Sequence, residues 1–274
     1  MSIGFHKDSG LTPTVVSPET MLGAIEALGI VPFFENPIPG YSIEEMTPKE
    51  NWFDGQEDLR LTPWDWKIFI VQSGEIAYGK FLWGGKAAFA TVEWYGELLN
   101  WRRSLPKYAP LPEQQPVLDF LQEHGSIGIK DVRALLGVKK SAADALMTRL
   151  QMQCRVLTGD ITRVYRGPDL HYNGWQVSSF CTPESLFCVD AIPGPGGFPF
   201  EGALPPAIPR GSRPISPSDT VSAGPSDDGH TVNLLKGHRT GTDHSPDESL
   251  RRLVEHIRSI APEATEKQIL KMLQ

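Results

Sequence analysis

Residues 115–180 read as three helices followed by a two-stranded ribbon, and this stretch is basic inside an otherwise acidic chain. Val117, Leu118 and Leu121 keep helical spacing near Glu113, and residues 130–136 form a second helix with Val132, Leu135 and Leu136 inward, stopped by Gly137. A third helix is expected from Ser141, with Asp144 at the capping-box position and Leu146 and Leu150 on its buried stripe. Residues 155–158 and 175–180 are the ribbon strands, joined through the polar stretch 165–174. Between Ser126 and Arg166, eight cations (Lys130, Arg133, Lys139, Lys140, Arg149, Arg155, Arg163, Arg166) face three aspartates (Asp131, Asp144, Asp160), a net +5. The whole chain carries −7, which leaves −12 on the rest. A polyanion is drawn to that one segment and repelled by most of the remainder. This order of elements with this charge predicts a winged helix-turn-helix.

At 274 residues the chain has room for one large domain or two small ones, and seven Trp with twelve Phe exclude a wholly disordered protein. The polar N-terminus carries no apolar run of signal-peptide or membrane-span length, so no membrane partner is expected. Cys154, Cys181 and Cys188 lack paired CxxC spacing, which points to reduced thiols in a cytoplasmic protein and to neither disulfides nor a zinc site. No metal and no cofactor is expected.

Residues 1–12 read as a disordered lead-in. Ser17 then caps a short helix with Pro18 at its first position, Met21, Leu22, Ile25 and Leu28 as its stripe, and Gly29 after its end. Residues 33–103 are dense in aromatic side chains and Gly/Pro punctuation. Within them 64–71, 76–83 and 87–94 read as strands, with Gly84-Gly85 as a hairpin turn and a helix over 95–103. Tyr78, Phe81, Trp83, Phe89 and Trp94 on this small antiparallel sheet are expected in a core; a base-stacking platform is the alternative.

From 193 to 243 composition collapses into Pro, Gly, Ser and Asp, too little apolar surface to offset the entropy of ordering, and the segment reads as a disordered linker. His230, His238 and His244 are read as solvated linker histidines, a metal site being the alternative. Ser245-Pro246-Asp247-Glu248 starts a helix with Leu250, Leu253, Val254, Ile257 and Ile260 on one face, and Thr265 to Gln268 is a capping box before Ile269, Leu270 and Leu273. This pair is expected to dock on the body; a free partner-binding helix is the alternative. The organisation is therefore α+β: an aromatic-rich region with a small antiparallel sheet (13–110), one winged helix-turn-helix (113–190), the disordered insertion (193–243) and a C-terminal helix pair (245–274).

Lys139, Lys140 and Arg149 on the third helix, with Arg163, Arg166 and His171 on the wing, are the candidate DNA contacts. The alternative is a solvated basic face on a structural winged helix. Directly after the third helix, Gln151 and Gln153 flank Met152. On a strand both amides point to one face, where they can orient a water but not deprotonate it. Such a pair suffices only for an easily departing group, such as a cationic alkylated purine; hydrogen bonding inside the core is the alternative.

The string Thr148-Arg149-Leu150-Gln151-Met152-Gln153, with Tyr172-Asn173-Gly174-Trp175 and Thr182-Pro183-Glu184, resembles the bacterial AlkZ-related winged-helix proteins. So do Pro39 with Gly40 to Glu45, Pro63-Trp64-Asp65-Trp66, Ala77 to Phe81, Glu93-Trp94, Pro262-Glu263-Ala264 and Gln268-Ile269, so the resemblance covers most of 28–190 and 245–274. AlkZ-type enzymes, more distantly similar, are DNA glycosylases of tandem winged helices with a glutamine, apolar, glutamine-or-aspartate motif on a strand. The resemblance implies Gln151 and Gln153 as catalytic residues acting on a flipped base, with Tyr172 or Trp175 stacking on it. This chain departs from that pattern: its motif abuts Leu150 directly, it holds one winged helix where those enzymes hold three, and it carries the 193–243 insertion. A DNA-interacting protein with a link to alkylation repair is the expectation. A non-catalytic DNA-binding or regulatory protein, or a structural winged helix beside a small-ligand or protein-binding groove, are the alternatives.

Overall fold

The computed structural model describes residues 14–53, 61–166, 168, 171–187 and 242–274. The described chain begins with α1 (Pro18–Leu28), β1 (Ile30–Pro32), α2 (Ile43–Met46), α3 (Glu50–Phe53) and α4 (Pro63–Ser73). β2 (Ile76–Leu82), a single 3₁₀ turn (Trp83–Gly85), β3 (Lys86–Thr91) and α5 (Val92–Ser104) follow. Then come α6 (Gln115–His124), β4 (Ile127–Gly128), α7 (Ile129–Leu136), α8 (Lys140–Met152), β5 (Leu157–Arg166), β6 (His171–Cys181) and α9 (Pro183–Phe187). The described chain closes with α10 (Pro246–Ile260) and α11 (Glu266–Met272).

The fold is α+β, with two antiparallel three-stranded sheets among the described residues, in the orders β1-β3-β2 and β4-β6-β5. In the first, Phe89 lies opposite both Val31 and Tyr78. Phe81 and Phe89 are fully buried there and Tyr78 and Trp94 pack partly buried against the same core, as expected, but Trp83 lies outside it on the hairpin tip. In the second, β5 and β6 pair from Leu157↔Cys181 out to Arg166↔His171, so the strands run well into the stretch expected to be an open polar loop.

Three expectations about helix and strand bounds fail besides that of the ribbon. The aromatic segment expected as a strand over 64–71 is helix α4. Pro63 occupies its first turn, the Asp65 carboxylate accepts the Thr62 N–H at 3.4 Å, and Gly74 ends it in the left-handed conformation. Its apolar residues wrap the helix because two sides are covered: Trp66 and Ile70 face the main core, while Ile68 and Val71 meet Ile161 of β5. β3 stops at Thr91, which enters α5, so Trp94 is helical. α8 begins one position before Ser141, because Lys139 C=O already accepts the N–H groups of Ala142 and Ala143 at 3.1 Å.

Two apolar clusters organise these elements. The larger runs from Val15 through α1, the first sheet and α5 to Leu273, and it takes in Cys154, Leu157 and Phe187. The smaller gathers Val117, Leu121, Ile127, Val132, Ala143, Met147, Leu150 and Val156. Helix α10 lies along α5, with Leu253 and Ile257 fully buried. The buried Glu97 of α5 is its anchor, accepting from Ser249 Oγ at 2.6 Å, Arg252 Nε at 2.8 Å and Thr242 Oγ1 at 3.3 Å, with His244 Nδ1 at 2.8 Å. His244, read as a solvated linker histidine, therefore belongs to a charge network. His230, His238 and most of the 193–243 segment lie outside the described residues, as do residues 1–12 and Cys188. Cys154 and Cys181 are free and buried.

Candidate nucleic-acid interface

Helix α8 presents three different faces. Ala143, Met147 and Leu150 recur at helical spacing and are buried against α6 and α7. Lys139, Lys140, Ser141, Ala142, Ala145 and Arg149 are exposed. The third side leans on the first sheet: a Cβ added at Gly85 would lie 2.6 Å from Thr148 Cγ2, and Gln151 Oε1 accepts the Lys80 N–H at 2.8 Å. The helix is thus pinned from two sides and open on one.

The glutamine pair does not lie on a strand. Gln151 is the penultimate residue of α8 and Gln153 follows its end, since the Gln153 N–H still reaches Arg149 C=O at 2.9 Å. The chain then turns through Cys154, whose φ of 53° is left-handed, while Arg155 N–H closes back on Leu150 C=O at 2.9 Å. Helical spacing sends the two amides apart. Gln151 is 2 % exposed, and its Nε2 donates to Met147 C=O at 3.2 Å. Gln153 is 1 % exposed, and its Nε2 donates to Ala109 C=O at 2.9 Å, between α5 and α6. Its Oε1 is buried with no hydrogen-bond donor among the described residues. The expected convergence of the two amides on one face is corrected accordingly.

Two adjacent arginines of α5 hold this helix end. Arg102 is fully buried and donates from Nη1 to Met152 C=O at 2.9 Å and from Nη2 to Leu273 C=O. Arg103 donates to Cys154 C=O from Nε at 3.2 Å and Nη2 at 2.7 Å, and it pairs with Glu184 through Nη1. Both guanidinium groups sit where the helix leaves unpaired carbonyls and partial negative charge.

On the ribbon the candidate residues separate. Arg163 is folded inward: its Nε lies 3.5 Å from Asp65 Oδ1, and its guanidinium covers Phe69 and Tyr172. Tyr172 donates its hydroxyl to Asp65 at 2.8 Å, and Gln176 Nε2 bridges Tyr172 Oη at 3.0 Å to Trp64 C=O at 2.9 Å. Burial and the Asp65 carboxylate outweigh Gln176 and Arg163 and raise the phenol's pKa above its ordinary range. These side chains fasten the ribbon to α4. Arg166 and Trp175 are exposed, the guanidinium lying 5.3 Å from the indole centre. The side chain of His171 lies outside the described residues.

Of the eight cations counted in the sequence, Arg155 and Arg163 are partly withdrawn, while Lys130, Arg133, Lys139, Lys140, Arg149 and Arg166 are exposed. Lys140 pairs with Asp144 at 3.1 Å one helical turn on, an exposed contact that a competing phosphate can replace. Among the described residues no group of three or more His, Cys, Asp or Glu could hold a metal, and no helix is long and apolar enough to cross a membrane. What sequence reasoning missed was Arg102, Arg103 and Asp65 as the groups that set the helix end and the ribbon. Only the Pro63-to-Asp65 capping signal was available locally.

No curated protein and no solved structure matches the chain. A family model described as AlkZ related matches residues 15–194, well over half of the chain and including both glutamines, α8 and the ribbon. The protein belongs to the AlkZ-related family.

Proposed function

We propose that residues 115–181 form a winged helix-turn-helix and that the protein binds duplex DNA through it, as a binding protein and not as a glycosylase. The observation that carries this reading is the open face of α8, where Lys139, Lys140 and Arg149 accompany the small residues Ser141, Ala142 and Ala145. Small side chains let a helix backbone come close to a groove, and flanking cations meet the phosphates. Arg166 and the exposed Trp175 extend the same chemistry onto the ribbon. Family membership supports a link to DNA. Against catalysis by Gln151 and Gln153 stand their divergent, buried amides, each already bonded to backbone.

Fluorescence anisotropy with a labelled duplex tests the reading. Affinity should fall steeply with salt, at about −0.9 in the log–log slope per neutralised phosphate. Lys139→Ala combined with Lys140→Ala should flatten that slope; no binding at low salt rejects the proposal. Base release from alkylated duplex DNA, lost in a folded Gln153→Ala variant, would assign catalysis instead.

A further inference from the structure

The tip of the β2–β3 hairpin packs on the sheet-facing side of α8, at the helix's last turns, and contributes no side chain to the core. It comprises Trp83, Gly84, Gly85 and Lys86, and all three residues before Lys86 have positive φ: 28°, 66° and 79°. Two are glycines, for which this conformation is easy; Trp83 is a bulky residue held where such residues rarely sit. Strain of this kind persists only where the surroundings impose it, and it marks places where a side chain is being presented. Here the indole is half-exposed, with Lys86 Nζ 3.9 Å from its ring centre. That ammonium also donates to Glu35 C=O at 3.4 Å and has no carboxylate partner among the described residues.

The tip's position is determined by α8. Gly85 approaches Thr148 so closely that any Cβ would lie 2.6 Å from its methyl, and Lys80 on the hairpin stem is clamped by Gln151 at 2.8 Å. Thr148 is the immediate neighbour of exposed Arg149. The hairpin tip is therefore fixed against the last turns of α8, the end of the helix that carries exposed Arg149, by segments about 65 residues apart in sequence.

We infer that this hairpin tip is a second DNA-contacting element: Lys86 takes a backbone phosphate flanking the duplex segment that α8 engages, and Trp83 packs against the adjoining sugar. The inference rests on the proposed DNA binding. Its ligand is a polyanion because the tip adds a cation, without a carboxylate partner among the described residues, at the end of α8 that carries exposed Arg149, and an indole under that cation is suited to the apolar face of a deoxyribose. The glycines allow the backbone to come close to a bulky ligand without a side chain intervening.

The test compares full-length wild type with Lys86→Gln and Trp83→Leu, each checked for folding by circular dichroism and thermal melting. Lys86→Gln should lower the salt slope of duplex binding by about 0.9, one phosphate's share. Trp83→Leu should weaken binding roughly several-fold at fixed salt with the slope retained. Independently of any substitution, saturating duplex should protect Lys86 of the wild type from an amine-reactive reagent, read by mass spectrometry. Wild-type binding with an unchanged slope in Lys86→Gln and no protection of Lys86 overturns this inference alone. Absence of wild-type binding overturns the parent reading, and this one with it.

Discussion

The side-chain oxygen of Gln151 accepts the backbone N–H of Lys80 at 2.8 Å, joining the end of α8 to the edge strand of the first sheet. The same amide returns a donor to Met147 C=O at 3.2 Å, so both of its polar atoms are used. Lys80 is itself exposed, so the loss of this partly buried bond costs about 1 kcal/mol, with up to about 3 kcal/mol if the N–H stays shielded from water. Gln151→Leu should therefore destabilise the fold by about that amount, read as a lowered urea midpoint. An unchanged midpoint would contradict a structural role for this amide.

Arg102 ties three segments together, bonding Met152 at the end of α8 and Leu273 beside the C-terminus from its place on α5. It is fully buried, and its Nη atoms donate to backbone carbonyls. Truncation leaves those carbonyls unpaired and opens a void. Arg102→Ala should lower stability by about 3–5 kcal/mol, with α11 losing hydrogen-exchange protection first. A loss under about 1 kcal/mol would show that water enters and compensates.

Glu97 links docking of the C-terminal helices to pH. Burial works to raise its pKa, but hydrogen bonds from Ser249 and His244, with the charges of His244 and Arg252, outweigh it and hold the carboxyl below its ordinary 4.5. A group with a depressed folded pKa binds fewer protons folded than unfolded. Its stabilisation is complete above the ordinary value and is lost as pH falls through the folded one. Acidification below pH 4.5 should loosen α10 from α5. Glu97→Gln should show a shallower acid limb in a series of urea midpoints against pH; parallel limbs in the two proteins would remove Glu97 as the cause.

The ribbon's two arginines should behave differently with DNA. Arg163 is held by Asp65 and two aromatic rings, whereas among the described residues Arg166 rests on exposed Trp175. Arg166→Gln should reduce the salt slope of duplex binding by about 0.9, and Arg163→Gln should leave it unchanged. Arg163→Gln should instead lower thermal stability, because it uncovers the seam between α4 and the ribbon. Equal slopes in the two variants would remove the ribbon from the interface.

Tyr172→Phe isolates the same seam without changing charge. It removes the 2.8 Å bond to the Asp65 carboxylate and the Gln176 contact at 3.0 Å. Hydrogen bonds to ionised groups contribute about 1.5–3 kcal/mol, so the melting temperature should fall while the duplex salt slope stays constant. A variant as stable as wild type would show that Asp65 finds replacement partners.

The features legible in the sequence are those written within a turn of helix. Ser17, Ser245 and Thr265 cap the helices that follow them, Gly84-Gly85 turns the hairpin, and the apolar spacing of α6 and α7 marks their buried faces. Each depends on groups three or four residues apart, whose hydrogen bonds and packing form before anything distant is in place. Tertiary structure decided the rest. Helix α4 reads as a strand because it is covered on two sides, which erases the periodicity that would separate the two. Whether a cation is free was equally invisible: Arg163 and Arg166 lie on one strand, yet only Arg163 meets a carboxylate supplied by α4. The glutamine pair follows the same rule, since the groups that bind it, Lys80 and Ala109, come from elsewhere in the chain. Local sequence specifies which backbone groups can pair with near neighbours, but burial and long-range pairing depend on what the fold brings alongside, and that is set jointly by segments no window contains.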